Sequence, residues 1–373
     1  MKCVLLYHAF SSCWNNGNAH FVRGVARELA SLGHQVIVYE PADGWSRSNA
    51  LADGAADALV EVTELFADVE IRAYEPTLDL DEAVDGADLV LVHEWNPPEL
   101  IAEIGRRRLS GSFVALFHDT HHRAVTAPDE MARFELDGFD GVLAFGEALR
   151  QIYQQRGWAR RAFTWHEAAD TALYHPLPDI ARTDDLVWIG NWGDGERRAE
   201  LAEFLIGPVA ALGLRAAIHG VRYSPEALSA IDAAGIAYRG WLPAHRVPAA
   251  FAAAQVTVHV PRAPYAKALP GIPTIRMFEA MACGIPLVSA PWDDAEGLFP
   301  DGSYLKARTG REMQDALRTL LADPDLATDI SAAGLQVIAE RHSCRHRALE
   351  LLTLTENIRG RQAQPTRLEE AHL

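Results

Sequence analysis

"VTVHVPRAPYAKALPGIPTIRMFEAMACGIPLVSA", residues 256–290, contains one complete strand–helix–strand unit. VTVHV (256–260) is short, apolar and β-branched, and PLVSA (286–290) is of the same kind. A proline-rich loop and an apolar helical run separate them. Two such runs around a helix make a parallel βαβ unit with strands buried on both faces. Pro273 stands where the helix opens, a place that tolerates proline because the first helical amides lack an intrahelical partner. The amides of Thr274, Ile275 and Arg276 are then free at the positive helix end. Arg262 and Lys267 in the loop ahead add cations suited to a diphosphate. Glu279, a lone acid in an apolar helix, suits a pair of sugar hydroxyls, since an ionised carboxylate accepts two hydrogen bonds.

The same alternation runs outward in both directions. CVLLYHAF (3–10), HQVIVYE (34–40), ADLVLVHEW (87–95), SFVALFHD (112–119) and GVLAFG (141–146) are short apolar runs separated by helical patterns. A second set begins with DLVWIG (185–190) and RAAIHG (215–220). TALYHPLPDIARTDD (171–185) lies between the sets, has no periodicity and reads as a linker. The expected fold is α/β: two Rossmann-like doubly wound domains, 1–172 and 183–345, facing a cleft. A helix over 346–373 is expected to cross back, with a frayed tail.

Bulk composition agrees with this. The chain has 373 residues, too many for one ordinary core, and 49% are hydrophobic. A net charge of −17 argues against a nucleic-acid partner. Four cysteines without a Cys-x-x-Cys pair fit a reducing compartment, and cytoplasmic location is expected. The opening run reads as a strand rather than a signal peptide, and no apolar run reaches the roughly 18 residues of a membrane span.

In doubly wound sheets ligands bind beyond the carboxyl ends of the strands. There the sequence places Asn15, Asn16, Gly17 and Asn18 in a tight loop before a helix. It also places His118, Asp119, His121 and His122 at one strand end. An active-site role for His118 is expected and metal binding is not, since adjacency alone does not make ligands converge. IGNWGDGERR (189–198) is a glycine loop feeding a helix, but its glycine spacing is not that of a dinucleotide fingerprint. QRGWARRAFTW (155–165) carries arginines and tryptophans that either pack as a helix face or touch an anionic membrane.

FEAMACGIPLVSAPW (278–292) resembles the C-terminal signature of retaining GT-B glycosyltransferases of the group-1 type. RGWLPAHRVPAAFAAAQVTVHVPR (239–262) resembles their base-binding segment, and EAADTALYHP (167–176) their interdomain connection. LFHDTHHRAVTAP and GIPTIRMFEAMACGIPLVSAPWDDAEGLF look like the CgeB-like branch. The resemblance implies a nucleotide-sugar donor (UDP-, GDP- or dTDP-linked), no other cofactor, no metal, and a role in polysaccharide biosynthesis. Glu279 would hold the donor ribose, Trp241 and Leu242 would lie by the base, and Arg262 and Lys267 would face the diphosphate. Thr274 and Ile275 would offer amides to it. His118 would approach the sugar, and Asn16 and Gly17 would sit near sugar and acceptor.

There is one departure from the pattern. The relatives often carry a second glutamate eight positions before Glu279, where this chain has Gly271. The Gly-Arg-Leu…Lys-Gly phosphate loop is also absent, so the cation must come from elsewhere. The acceptor, whether a glycan, a lipid-linked sugar or a small molecule, is open at this stage. Two rival functions stay open as well: a sugar-nucleotide 2-epimerase, and a nucleotide-sugar-binding protein without turnover.

Overall fold

The computed structural model describes residues 1–193 and 195–362. Two parallel sheets organise it. The first takes strands β1 (Lys2–Leu6), β2 (Gln35–Pro41), β3 (Glu70–Tyr74), β4 (Leu89–His93), β5 (Val114–Asp119), β6 (Gly141–Ala144) and β7 (Ala162–Thr164) in the order β3-β2-β1-β4-β5-β6-β7. The second takes β8 (Asp184–Ile189), β9 (Ala216–His219), β10 (Ala237–Tyr238), β11 (Ala254–His259), β12 (Leu287–Ser289) and β13 (Leu305–Lys306) in the order β10-β9-β8-β11-β12-β13. Both orders reverse beside the first strand of the set, β1 or β8. Such a reversal opens a crevice at the carboxyl ends of the strands. The expected pair of doubly wound α/β units is the architecture found.

The central strands are apolar because helices cover both faces of each sheet. Every residue of β4 and β5 is buried. Sequence reading passes over β3, β7, β10 and β13. EIRAY of β3 alternates charged and apolar residues, as a half-covered edge strand does. The other three have only two or three residues.

The helix Cys344–Gln362 packs on the first half of the chain, against helix Asn18–Ser31. Gly24 makes the approach possible: a Cβ there would lie 2.5 Å from Cys344 Sγ and 2.7 Å from Asp170 Cβ. The Cys344 thiol points at the carbonyls of Phe21 (3.7 Å) and Ala168 (3.6 Å). The frayed tail expected beyond this helix lies outside the described residues. All four cysteines are free and buried. Among the described residues no helix is long and apolar enough to cross a membrane. Trp165 of the arginine–tryptophan stretch is interior, 4.9 Å from the Phe21 ring, while Arg156, Arg160 and Arg161 are exposed.

Candidate active site

A cleft of about 1260 Å³ runs between the strand ends of the two sheets. Its second-half wall is cationic. Arg197, Arg222, Arg262 and Arg276 line it, as do Pro273, Thr274 and Ile275. Helix Ile275–Ala282 starts two residues later than Pro273, with Thr274 as its N-cap and no side-chain cap. The amides of Ile275 and Arg276 therefore have no helical carbonyl ahead of them. This corrects the sequence expectation of a start at Pro273 with a free Thr274 amide: Thr274 is the N-cap, with extended backbone, and the helix begins one residue after it.

Arg197 follows the glycine loop 190–195 and turns inward, while its neighbour Arg198 is exposed. Its Nη1 donates to Val260 O at 3.1 Å, Nη2 donates to Asn191 O, and the Trp188 ring lies 5.1 Å away. Nε has no partner. Burial first, and then the positive Arg262, pull its pKa down to about 9, and Arg276 adds to this. Arg262 reaches one carboxylate, Glu196, at 3.3 Å. Among the described residues Arg197 forms no ion pair, while Arg262 and Arg276 each pair with one carboxylate, Glu196 and Glu279. The GNWGDGERR loop itself thus brings one cation to the cleft, and the sequence gives no sign of which arginine of the pair faces in.

The first half contributes Asn15, Asn16, Gly17 and Asn18, with the histidines His8, His121 and His122. Asn191 Nδ2 donates to Asn15 Oδ1 across the cleft, and His122 Nε2 is 3.5 Å from Glu196. Burial, helped by nearby Arg123, lowers His8 to about 4; burial and the charge on His122 lower His121 to about 2. Both rings are therefore neutral at pH 7, and each has a buried Nδ1 without a partner. Neutral imidazoles of this kind suit sugar hydroxyls.

Several sequence-predicted residues lie elsewhere. His118 is behind the wall, not in the cleft: it is fully buried, its Nδ1 is 2.6 Å from Tyr7 Oη, and burial lowers its pKa to about 3. It is the next-to-last residue of β5 and points into the core, whereas His121 and His122 follow the strand and reach the opening. Lys267 is exposed and does not line the cleft. Trp241 lines a smaller pocket of about 480 Å³ with Trp14, Tyr223 and Tyr238, while Leu242 packs on the core. Among the described residues no cluster of His, Cys, Asp or Glu is arranged to hold a metal ion.

Glu279 is buried and does not line the cleft. Its Oε1 is 2.6 Å from His20 Nδ1 and its Oε2 is 2.5 Å from Arg276 Nη1. Both oxygens are occupied by protein, so the carboxylate holds Arg276 and ties the second half to helix Asn18–Ser31. No local sequence signal shows this, because His20 is 259 positions away.

Gly271 also has a reason. Its φ is +83°, and a Cβ there would lie 2.6 Å from Glu296 Cγ. The Glu296 carboxylate accepts from the Glu147 amide at 2.8 Å and pairs with His166 Nε2 at 2.7 Å, linking the two halves. The position expected to carry a glutamate is thus closed to side chains by another glutamate. Gly271→Ala is expected to cost about 1–3 kcal/mol through backbone strain and overlap. Urea unfolding checks this, and a cost below ~0.5 kcal/mol would mean that Glu296 moves aside freely.

Comparison with known proteins agrees with this fold. Residues 15–173 match the family model described as Glycosyltransferase Family 4, and residues 197–353 match Glycosyl transferase-like. No curated protein matches by sequence. The solved structures that share the fold include sucrose-phosphate synthase from Thermosynechococcus elongatus, at 14% identity, TM-score 0.67, and 96% and 99% coverage of this chain and that one. Anabaena Alr3699/HepE in complex with UDP-glucose is 14% identical, with TM-score 0.67 and coverage of 97% and 99%. The T4 phage BGT complex with UDP and Mn2+ is 13% identical, with TM-score 0.60 and coverage of 96% and 99%. The fold is GT-B, and both halves of the chain carry glycosyltransferase family domains.

Proposed function

We propose that this chain, a glycosyltransferase by the family domains in both its halves, moves a glycosyl group from a nucleoside diphosphate sugar to an acceptor hydroxyl. The observation that carries this reading is the convergence of Arg197, Arg262 and Arg276 around the uncapped start of helix Ile275–Ala282. Like charges held together in a partly buried wall favour an anion of matching size. A diphosphate bridging them meets charge-assisted donors and two free amides.

As the bond from the anomeric carbon to the diphosphate oxygen breaks, negative charge grows on that oxygen. Fixed guanidinium groups aimed there stabilise the transition state more than the ground state. In this reading they supply what a metal ion would supply elsewhere. His8 and His121 offer neutral hydrogen-bonding groups to the sugar, with Asn16 and Gly17 beside them. Glu279 acts as a positioning residue by holding Arg276. The aromatic pocket of Trp14, Tyr223, Tyr238 and Trp241 takes the base. UDP is the first nucleotide to try, because HepE is seen with UDP and UDP-glucose. Retention of configuration and the CgeB-like branch rest on the motif around Glu279. A cytoplasmic setting fits four free, buried thiols.

Calorimetry with UDP, GDP and dTDP tests the reading. One of the three is expected to bind, with Arg262→Ala weakening it about tenfold, the size of one charge-assisted bond. Lys267→Ala is expected to leave affinity within about twofold, as for an exposed charge. No nucleotide binding, or equal loss in the two variants, would sink the site assignment.

A further inference from the structure

The cleft is electrically divided. Among the described lining residues every Lys or Arg belongs to the second half, and the first half contributes none. The first-half wall away from the donor is built at the ends of β2, β3 and β4. It carries the rings of Trp45, Tyr74 and Trp95, with Leu78, and the carboxylates Asp43 and Glu99. Trp45 is 52% exposed although its ring meets Trp14 edge-on at 5.0 Å, and Trp95 is 44% exposed, high for rings of this size. Trp95 is held in place from behind. The Arg123 guanidinium sits 4.0 Å from its ring centre and is itself bound to the fully buried Glu94, while the His121 ring abuts it at 5.2 Å.

Asp43 and Glu99 are exposed and make no ion pair among the described residues. Glu103, deeper along the same helix, differs: Arg106 and Arg107 neutralise it. Asp43 lies close enough to Tyr74 that, after burial, its charge is the next cause of that phenol's raised pKa. Aromatic faces and unpaired carboxylates therefore share one wall.

Resting on the glycosyl-transfer reading, we infer that the acceptor is an apolar, ring-bearing small molecule carrying a protonated amine near its reacting hydroxyl. Its rings lie on Trp45, Tyr74 and Trp95, and its ammonium faces Asp43 and Glu99. Stacking a cation-bearing ring system on indole faces adds attraction. Phosphorylated sugars and lipid diphosphates meet the opposite condition: two like charges and, among the described lining residues, no Lys or Arg on the acceptor side, Arg123 behind Trp95 being paired with Glu94. Their desolvation would go uncompensated.

Three probes that share one ring and differ only in charge test this on the full chain: 2-(2-naphthyl)ethylamine, 2-(2-naphthyl)ethanol and 2-naphthylacetate. Calorimetry on the unmodified protein is expected to rank amine over alcohol over carboxylate, with about tenfold or more between the ends at low salt and less at high salt. Asp43→Lys with Glu99→Lys is expected to reverse that order, and Trp45→Ala to weaken all three probes. Equal binding of amine and carboxylate, no binding of any probe, or an order that survives the double substitution overturns the inference. Nucleotide titration of the same samples separates the two readings. If nucleotide binds while the probes fail, the acceptor class is wrong and the donor site stands. If no UDP, GDP or dTDP binds, the donor reading itself falls.

Discussion

Replacing Arg197 by alanine is expected to lower donor kcat/KM about 100-fold or more, the size seen when one fixed charge-stabilising donor is removed from a transition state. Among the described residues the side chain has no anion of its own. Its donors reach two backbone carbonyls, its third nitrogen is unpartnered, and the positive Arg262 and Arg276 face it. An unpaired guanidinium held in a buried place costs folding free energy. Alanine removes that cost along with the carbonyl contacts and the Trp188 stack, so thermal stability should change by only a few degrees, corresponding to about 1 kcal/mol or less. A large loss of turnover with a near-level melt is the expected signature. Arg197→Lys keeps a charge but not the planar fork, so it should recover part of the loss and not all of it. If Arg197→Ala binds nucleotide as the parent does, the diphosphate lies away from this cluster.

The fold was legible because buried parallel strands announce themselves. LVLV of β4 and VALF of β5 are unbroken apolar runs, and each is followed by a loop and a helix. Edge strands carry no such mark, and EIRAY of β3 could equally sit on a helix face. The site was legible only to the level of a loop. That Arg262 and the amides after Pro273 belong together followed from their spacing. Which histidine of 118–122 faces the cleft did not, because strand residues alternate and the turn after β5 redirects the chain. Arg197 and Arg198 differ by one position, and one is buried while the other is exposed. The partner of Glu279 was out of reach for a different reason: His20 comes from the far end of the chain and meets it only once both halves have docked.

That meeting carries the largest expected loss of stability. Glu279→Ala should destabilise the protein by about 3–5 kcal/mol, because it leaves buried His20 and half-buried Arg276 facing each other without their shared anion. Glu279→Gln keeps the shape and loses the charge, so it should fall between the two. Acid adds an independent sign. Burial raises the Glu279 carboxyl, but Arg276 and then His20 outweigh it and hold it below its usual 4.5. A lowered acid contributes stability above its unfolded value, and that contribution is lost as pH falls through the folded one. The parent should therefore lose stability below about pH 4.5, and Glu279→Gln should show a shallower acid fall. On the alkaline side two slopes oppose. Burial pulls His20 down, but Glu279 and Cys13 reverse this and leave it raised, so its contribution is lost as pH rises above 6.5 through the folded value. Burial raises Cys13, but the His20 bond and Arg23 bring it from 9.0 to about 6, so its contribution grows between those values. Urea midpoints should stay nearly level there, and Cys13→Ser should tilt them downward with rising pH. A parent and Glu279→Gln with the same acid limb would mean that the two halves are not joined through this carboxylate.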